Sequence, residues 1–330
     1  MAHIAVLGGG SWALALSVLL SDNGHNVTLW SAVEEEIEIL KRDHENPKYL
    51  PGVVIPENIH LTADLTEAVC GKDVIVCAVA SKFTRSTAKR LKGLIPDGQI
   101  IVNVAKGLES GTLYTLKQVI EEELENAKVY VLSGPSHAEE VSRRMPTVVT
   151  VAGDDNETAV YLQEIFASAV FRVYTSDDAL GVELGGSLKN VIALAAGIAD
   201  GIGYGDNIKA ALITRGIKEM ASLAVKMGAK HETLYGLSGM GDLIVTCASM
   251  HSRNRRAGIL IGQGRSKDEA VKEVNMVVEG IVSAEAAREL AKKNCVEMPI
   301  INAVNQILFE NLDPRTAVNN LMTREFGKEY

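Results

Sequence analysis

Residues 3–20 read HIAVLGGGSWALALSVLL: a short apolar run, three glycines, then a second apolar stretch laced with small residues. A Val/Ile/Leu run stopped by glycine is a buried strand, and Leu14 to Leu20 continue as an apolar helix, so the glycines occupy a strand-to-helix turn. Gly8 permits the tight turn and Gly10 lets backbone approach a pyrophosphate. The helix that begins at Ser11 and Trp12 offers free amides and its positive dipole end to the negative charge. Ala13 fills the third motif position, an allowed variant. A structural glycine turn is the competing reading, but the strand before it and the helix after it favour a dinucleotide site.

Outward from this unit, apolar runs recur at 26–30, 73–79, 99–104, 129–132 and 147–152, separated by helical patterns. Runs apolar on both faces and joined by helices are the signature of an α/β fold with a parallel sheet. The character changes near residue 178. From Leu180 to Phe309 the periodicity is helical, as in 209–226 and 282–293, with no convincing strand. Two domains are therefore expected, 1–178 binding a dinucleotide and an all-helical 179–330 binding substrate. The second strand run ends Leu29-Trp30-Ser31-Ala32-Val33, with neither an acid for a ribose 2′-hydroxyl nor an arginine for a 2′-phosphate. Glu34 to Glu36 come slightly late and are read as first-turn acids favoured by the helix dipole.

Composition narrows the chemistry. A net charge of −9 with 5% aromatic residues disfavours nucleic acid and anionic membrane surfaces, while an anionic metabolite is still allowed. Cys70, Cys77, Cys247 and Cys295 show no metal-ligand spacing, so neither a metal site nor a disulfide framework is expected. No basic leader precedes the first strand and no uninterrupted apolar run approaches membrane-spanning length, so a cytoplasmic protein is expected.

In the second half, GVELGGSLKNVIALAAG (181–197) places Lys189 among glycine, alanine and aliphatic residues. Its helical neighbours Gly185, Gly186, Ile192 and Ala193 form a small apolar face that admits a ligand or another backbone. Burial and a nearby carboxylate are the controls that a proton-transferring lysine requires; the bland alternative is a lysine whose head snorkels to water. Lys106 follows the fourth strand at the sheet's C-terminal edge, where α/β folds bind ligands. Ser136 and Glu139, after the turn at Gly134-Pro135, have capping-box spacing, which suits either a site or a merely capped helix; His137 reads as structural. Asp242 is flanked by glycine, and Ser252-Arg253-Asn254-Arg255-Arg256 looks like a capped helix start suited to phosphate, or else a solvated basic face.

These residues lie in blocks that resemble the bacterial NAD(P)-dependent glycerol-3-phosphate dehydrogenases. The matching stretches are GGGSWALAL (8–16), KGLE (106–109), SGPSHAEEV (133–141), residues 184–216, GLSGMGDLIVTC (236–247), HSRNRRAG (251–258) and VVEG (277–280). The resemblance implies a Rossmann domain joined to a helical domain, and reduction of dihydroxyacetone phosphate to sn-glycerol 3-phosphate for phospholipid synthesis. It implies Lys189 as proton donor and acceptor, with Lys106 and Asp242 beside it and Asn190 and Thr246 in support. It further implies Gly134, Ser136, Ser252, Arg253 and Asn254 around the substrate, and Ser11, Trp12, Lys106, Ala138, Arg253, Val277 and Glu279 around the nucleotide. A homodimer is expected on the same basis. The chain departs from the family at Ala13, usually glycine, and at Ala32, usually arginine or histidine, which leaves NADPH against NADH open. A related dehydrogenase of another hydroxy acid, or a nucleotide-sensing protein without chemistry, are the competing readings.

Overall fold

The computed structural model describes residues 1–325, 328 and 329. Eight strands, β1 (His3–Leu7), β2 (Asn26–Trp30), β3 (His60–Thr62), β4 (Val74–Cys77), β5 (Ile100–Asn103), β6 (Lys128–Ser133), β7 (Thr147–Ala152) and β8 (Phe171–Ser176), form one sheet. Its order is β3-β2-β1-β4-β5-β6-β7-β8. The order reverses between β1 and β4, the switch point at which open α/β sheets hold ligands. Gly8 ends β1 there, and a Cβ on it would lie 2.8 Å from the Ala78 carbonyl oxygen just beyond β4.

Two features depart from the expected parallel sheet. β6 and β7 pair antiparallel, with Leu132 opposite Val151. Their link spans residues 134–146 and contains only the one-turn helix Ala138–Val141, so the chain turns back instead of crossing over. The edge strands β3 and β8 were not signalled by apolar runs, because each has one flank without a partner strand and β8 alternates buried and exposed residues.

Helix α1 (Ser11–Asp22) follows β1, α2 (Glu34–Asp43) follows β2, and the one-turn helix is α3 (Ala138–Val141). Beyond Ser176 the described residues contain no strand. The helices that carry the site are α4 (Ala179–Ile202), α5 (Asp206–Lys226), α6 (Asp242–Ala248), α7 (Arg253–Gly262) and α8 (Glu279–Lys293). Residues 326, 327 and 330, the tail of the expected second domain, lie outside the described residues.

Asp178 caps α4 by accepting from the Gly181 amide at 2.9 Å. The helix is long and apolar enough by length and mean composition to cross a membrane, although Glu183, Lys189 and Asp200 interrupt it, and its most apolar window is wholly buried in the protein. Only Leu180, Asp200 and Gly201 escape full burial. Interior glycines each cost about 1 kcal/mol of helix stability relative to alanine. Here they let two backbones touch. A Cβ on Gly197 would run into the Arg255 carbonyl, and one on Gly258 into that of Leu194. Gly201 and Gly262 repeat the contact one turn on, so α4 and α7 meet along a glycine seam.

Candidate active site

The glycine loop is built as a cradle. Gly10 precedes α1 in an extended conformation without any side-chain cap, and a Cβ placed on it would meet nothing within 4 Å. The first-turn amides of α1 therefore open onto unfilled space, which fits a dinucleotide pyrophosphate. Ser11 is buried, and the indole Nε1 of Trp12 is buried without a hydrogen-bond partner. Ala13 is fully buried, so the side chain at the third motif position packs inward, away from any ligand.

The glycines flanking Lys189 have separate tasks. A Cβ on Gly185 would lie 2.7 Å from the Ser238 carbonyl oxygen, so the tight turn Leu237–Gly241 rests directly on α4. That contact delivers Asp242, the first residue of α6, to Lys189. Lys189 Nζ donates to Asp242 Oδ1 at 2.7 Å and to Thr246 Oγ1 at 2.6 Å. Thr246 in turn donates to the Asp242 carbonyl at 2.6 Å. From the other domain, Lys106 Nζ donates to Asp242 Oδ2 at 2.6 Å and to the Gly134 carbonyl at 3.1 Å. Lys189 is only 6% exposed, so its head does not snorkel.

Two ammonium groups thus share one buried carboxylate. Burial pushes the Asp242 carboxyl up, but Lys106 and Lys189 together outweigh it and hold the group below its usual range. Burial, with Lys106 adding repulsion and Asp242 opposing both, lowers Lys189 to about 8. An ammonium has three N–H donors. Lys189 spends two on Asp242 and Thr246, and Lys106 spends two on Asp242 and Gly134, so each retains one.

The loop carrying Lys106 is pinned by Ser187, whose hydroxyl accepts from the Gly107 amide at 3.0 Å and donates to the Gly107 carbonyl at 2.9 Å. Neither Ser187 nor its role was signalled by the sequence, where it reads as one more small residue of α4. Ser136 does not form the expected capping box: its hydroxyl donates to the Gly134 carbonyl at 3.0 Å, and His137 stands at the cap position of α3 without a side-chain cap bond. Ala138 is buried at the start of that helix. His137 Nε2 is buried with no partner, and its ring lies 5.9 Å from that of His251.

The basic run after His251 divides. Ser252 caps α7 by accepting from the Arg255 amide at 3.2 Å. Arg255 turns away to Asp200 at 2.8 Å, and Arg256 is exposed. Arg253 donates to the Val277 carbonyl at 3.1 Å and makes no ion pair among the described residues; burial lowers its pKa. Asn254 donates to Asn190 Oδ1 at 2.8 Å and accepts from the Gly280 amide at 2.8 Å, tying α7 to α4 and α8. Asn190 is spent on that bond and on the Gly186 carbonyl at 3.3 Å, and it does not reach Asp242. Glu279 accepts from Ser81 Oγ at 2.7 Å, joining the helical domain to the loop after β4.

The chain's relatives point the same way. Residues 3–159 match the family profile described as the NAD-dependent glycerol-3-phosphate dehydrogenase N-terminus, and 178–319 match its C-terminus. A protein of Fusobacterium nucleatum named glycerol-3-phosphate dehydrogenase, NAD(P)+, is 60% identical over 327 residues, covering 98% of each chain. One of the same name from Agathobacter rectalis is 58% identical, covering 100% of this chain and 98% of the relative. The crystal structure of glycerol-3-phosphate dehydrogenase from Coxiella burnetii superposes with a TM-score of 0.95 at 40% identity, over 98% of this chain and 99% of that one. With a dinucleotide cradle and a buried lysine-aspartate centre in one molecule, the chain belongs to the NAD(P)-dependent glycerol-3-phosphate dehydrogenases, oxidoreductases that reduce dihydroxyacetone phosphate to sn-glycerol 3-phosphate.

Proposed function

We propose that Lys189 is the general acid of this reduction and the general base of its reverse. The observation that carries the reading is the sharing of Asp242 by two lysines in a buried setting. Two ammoniums and one carboxylate leave a net single positive charge, which a developing oxyanion would neutralise. The unspent N–H of Lys189 suits the substrate carbonyl oxygen, and its proton moves onto that oxygen as negative charge builds. The bound nicotinamide cofactor supplies the hydride. Lys106 lends its remaining N–H to the same oxygen or its neighbour, while Asp242 stays ionised and Thr246 fixes the Lys189 head.

Substrate phosphate is assigned to the start of α7, where, among the described residues, the amides of Arg253 and Asn254 are left free by the Ser252 cap and the Arg253 guanidinium has no carboxylate partner. Gly134 and Ser136 line the same space. Asn190 and Asn254 act as positioning residues that lock α7 onto α4. Gly8, Gly10, Ser11, Trp12, Ala138, Val277 and Glu279 are assigned to the nucleotide. Residues 1–178 then form the dinucleotide-binding domain and 179–330 the substrate-binding domain. Cytoplasmic location, supply of phospholipid synthesis and a homodimer complete the reading, each resting on the family resemblance.

The test is oxidation of NADH and of NADPH by purified protein, dependent on dihydroxyacetone phosphate, repeated with Lys189→Ala. Turnover should fall by about 10³-fold or more in the variant, with dinucleotide affinity unchanged. Retained turnover would place the acid elsewhere.

A further inference from the structure

We propose that Glu36 makes this chain select NADH over NADPH, by holding a carboxylate against the glycine loop beside the tip of β2. The proposal rests on the dinucleotide reading of that loop. Three glutamates open α2, and the helix dipole alone would leave all three in solvent. Glu36 instead folds back. Its Oε2 accepts from Ser31 Oγ at 2.6 Å, and Ser31, buried just past β2, also accepts from the Val33 amide at 3.2 Å. A Cβ on Gly9 would run into that same Glu36 oxygen and lie 2.9 Å from Ser31 Oγ. The three glycines therefore differ in purpose: Gly8 clears the backbone after β4, Gly10 leaves open space, and Gly9 makes room for a carboxylate.

In dinucleotide folds an acid beside the second strand's tip accepts from the adenosine ribose 2′-hydroxyl, whereas a nearby arginine receives a 2′-phosphate. Glu36 is five residues beyond Ser31, too late for that rule when read along the chain, yet its side chain returns to the tip. Oε2 is taken by Ser31, and Oε1 makes no hydrogen bond among the described residues, leaving it free to accept from a ribose hydroxyl. The cation recorded beside the tip among the described residues, Arg90, is engaged over the Trp30 ring at 5.1 Å. Ala32 is exposed and uncharged, and the basic residues of α2 stand in its last turn, where Lys41 meets Glu38 and Arg42 meets Asp43. A 2′-phosphate would bring a near-dianion beside an anion already held in place.

Equilibrium titration of the full chain with NADH and with NADPH, in the absence of substrate, tests this without reference to turnover. NADH should bind at least about tenfold more tightly, and Glu36→Gln, which keeps an acceptor and removes the charge, should bring the two within about threefold. Ala32→Arg, at an exposed position that does not threaten folding, should tighten NADPH by about tenfold and leave NADH unchanged. NADPH binding as tightly as NADH to the natural chain, or a ratio unmoved by Glu36→Gln in a variant of unchanged melting temperature, overturns the proposal. Binding of neither dinucleotide removes the reading of the loop itself, and the proposal with it.

Discussion

Replacing Asp242 with asparagine leaves the shape of the centre intact and removes the negative charge that Lys106 and Lys189 share. At 2.6 Å and 2.7 Å from the two ammoniums, the carboxylate gives each about 6 kcal/mol of attraction at an effective dielectric of about 20. Much of this offsets the desolvation of three buried charges, and deleting one partner of a buried pair costs about 3–5 kcal/mol net. For a chain of 330 residues that is a fall in Tm of about 4–7 °C. The chemistry suffers through Lys189, which burial has already lowered to about 8 with Asp242 opposing. Without Asp242, burial and Lys106 are unopposed and its pKa drops further, so at about pH 7.5 less of it holds a proton to give and kcat for reduction falls, by about 10³-fold. The sign with pH follows. Lys189 has a folded pKa depressed below its unfolded one, and more so in the variant, a contribution to stability that is lost as pH falls. The Tm gap between natural chain and variant should therefore widen from pH 9 to pH 6. Steady-state reduction of dihydroxyacetone phosphate and thermal unfolding at the two pH values measure both effects. An Asp242→Asn protein with kcat within about threefold and Tm within about 1 °C of the natural chain would refute the balance of charges described here.

Three further outcomes are expected. With Lys189 at about 8, kcat/KM for reduction should be flat below that pH and fall above it, while oxidation of sn-glycerol 3-phosphate rises through the same value; profiles without an inflection in that region would remove Lys189 as the titrating group. Gly10→Ala adds a methyl that meets nothing within 4 Å, on a backbone that alanine accepts. Its Tm should stay within about 1 °C while dinucleotide affinity falls by about tenfold, and unchanged affinity in a titration would mean that nothing approaches that backbone. Glu183, fully buried on α4, is pushed up to about 7 by burial, against the Lys117 amide and Asn103 that bond its Oε1. Its folded pKa lies above its unfolded one, so its contribution is complete in acid and lost as pH rises through about 7. Glu183→Gln should therefore gain Tm relative to the natural chain between pH 5 and pH 8, and a constant difference across that range in scanning fluorimetry would contradict the shift.

The interior strands were legible because burial on both faces writes a continuous apolar run, as in VIVC of β4 and VYVL of β6. Strand direction leaves no such mark, so the antiparallel turn into β7 was missed, as was β8, whose Arg172 and Tyr174 alternate outward. Lys189 stood out because a charge among glycines and alanines demands a partner. The partner, Asp242, lies 53 residues away, and the chain's own pattern showed only a glycine-flanked acid. Side-chain direction was the commonest loss. Ser136 and Glu139 had the spacing of a capping box, but the Ser136 hydroxyl turned to the Gly134 carbonyl. Glu36 read as a helix-dipole acid until its bond to Ser31 was seen. Arg253 and Arg255, two apart in sequence, point to different neighbours because positions two apart on a helix do not share a face.

The glycine seam between α4 and α7 acts as a gauge. It joins the helix bearing Lys189 to the helix whose first residues are assigned to the phosphate, and at its four glycines backbone lies against backbone. Under the proposed assignment, the gap between acid and anion is a property of two helix axes, and so is the number of carbon atoms that fits between carbonyl and phosphate. Side chains lining the pocket can alter what the substrate carries. To accept a longer one, the two helices themselves would have to move apart.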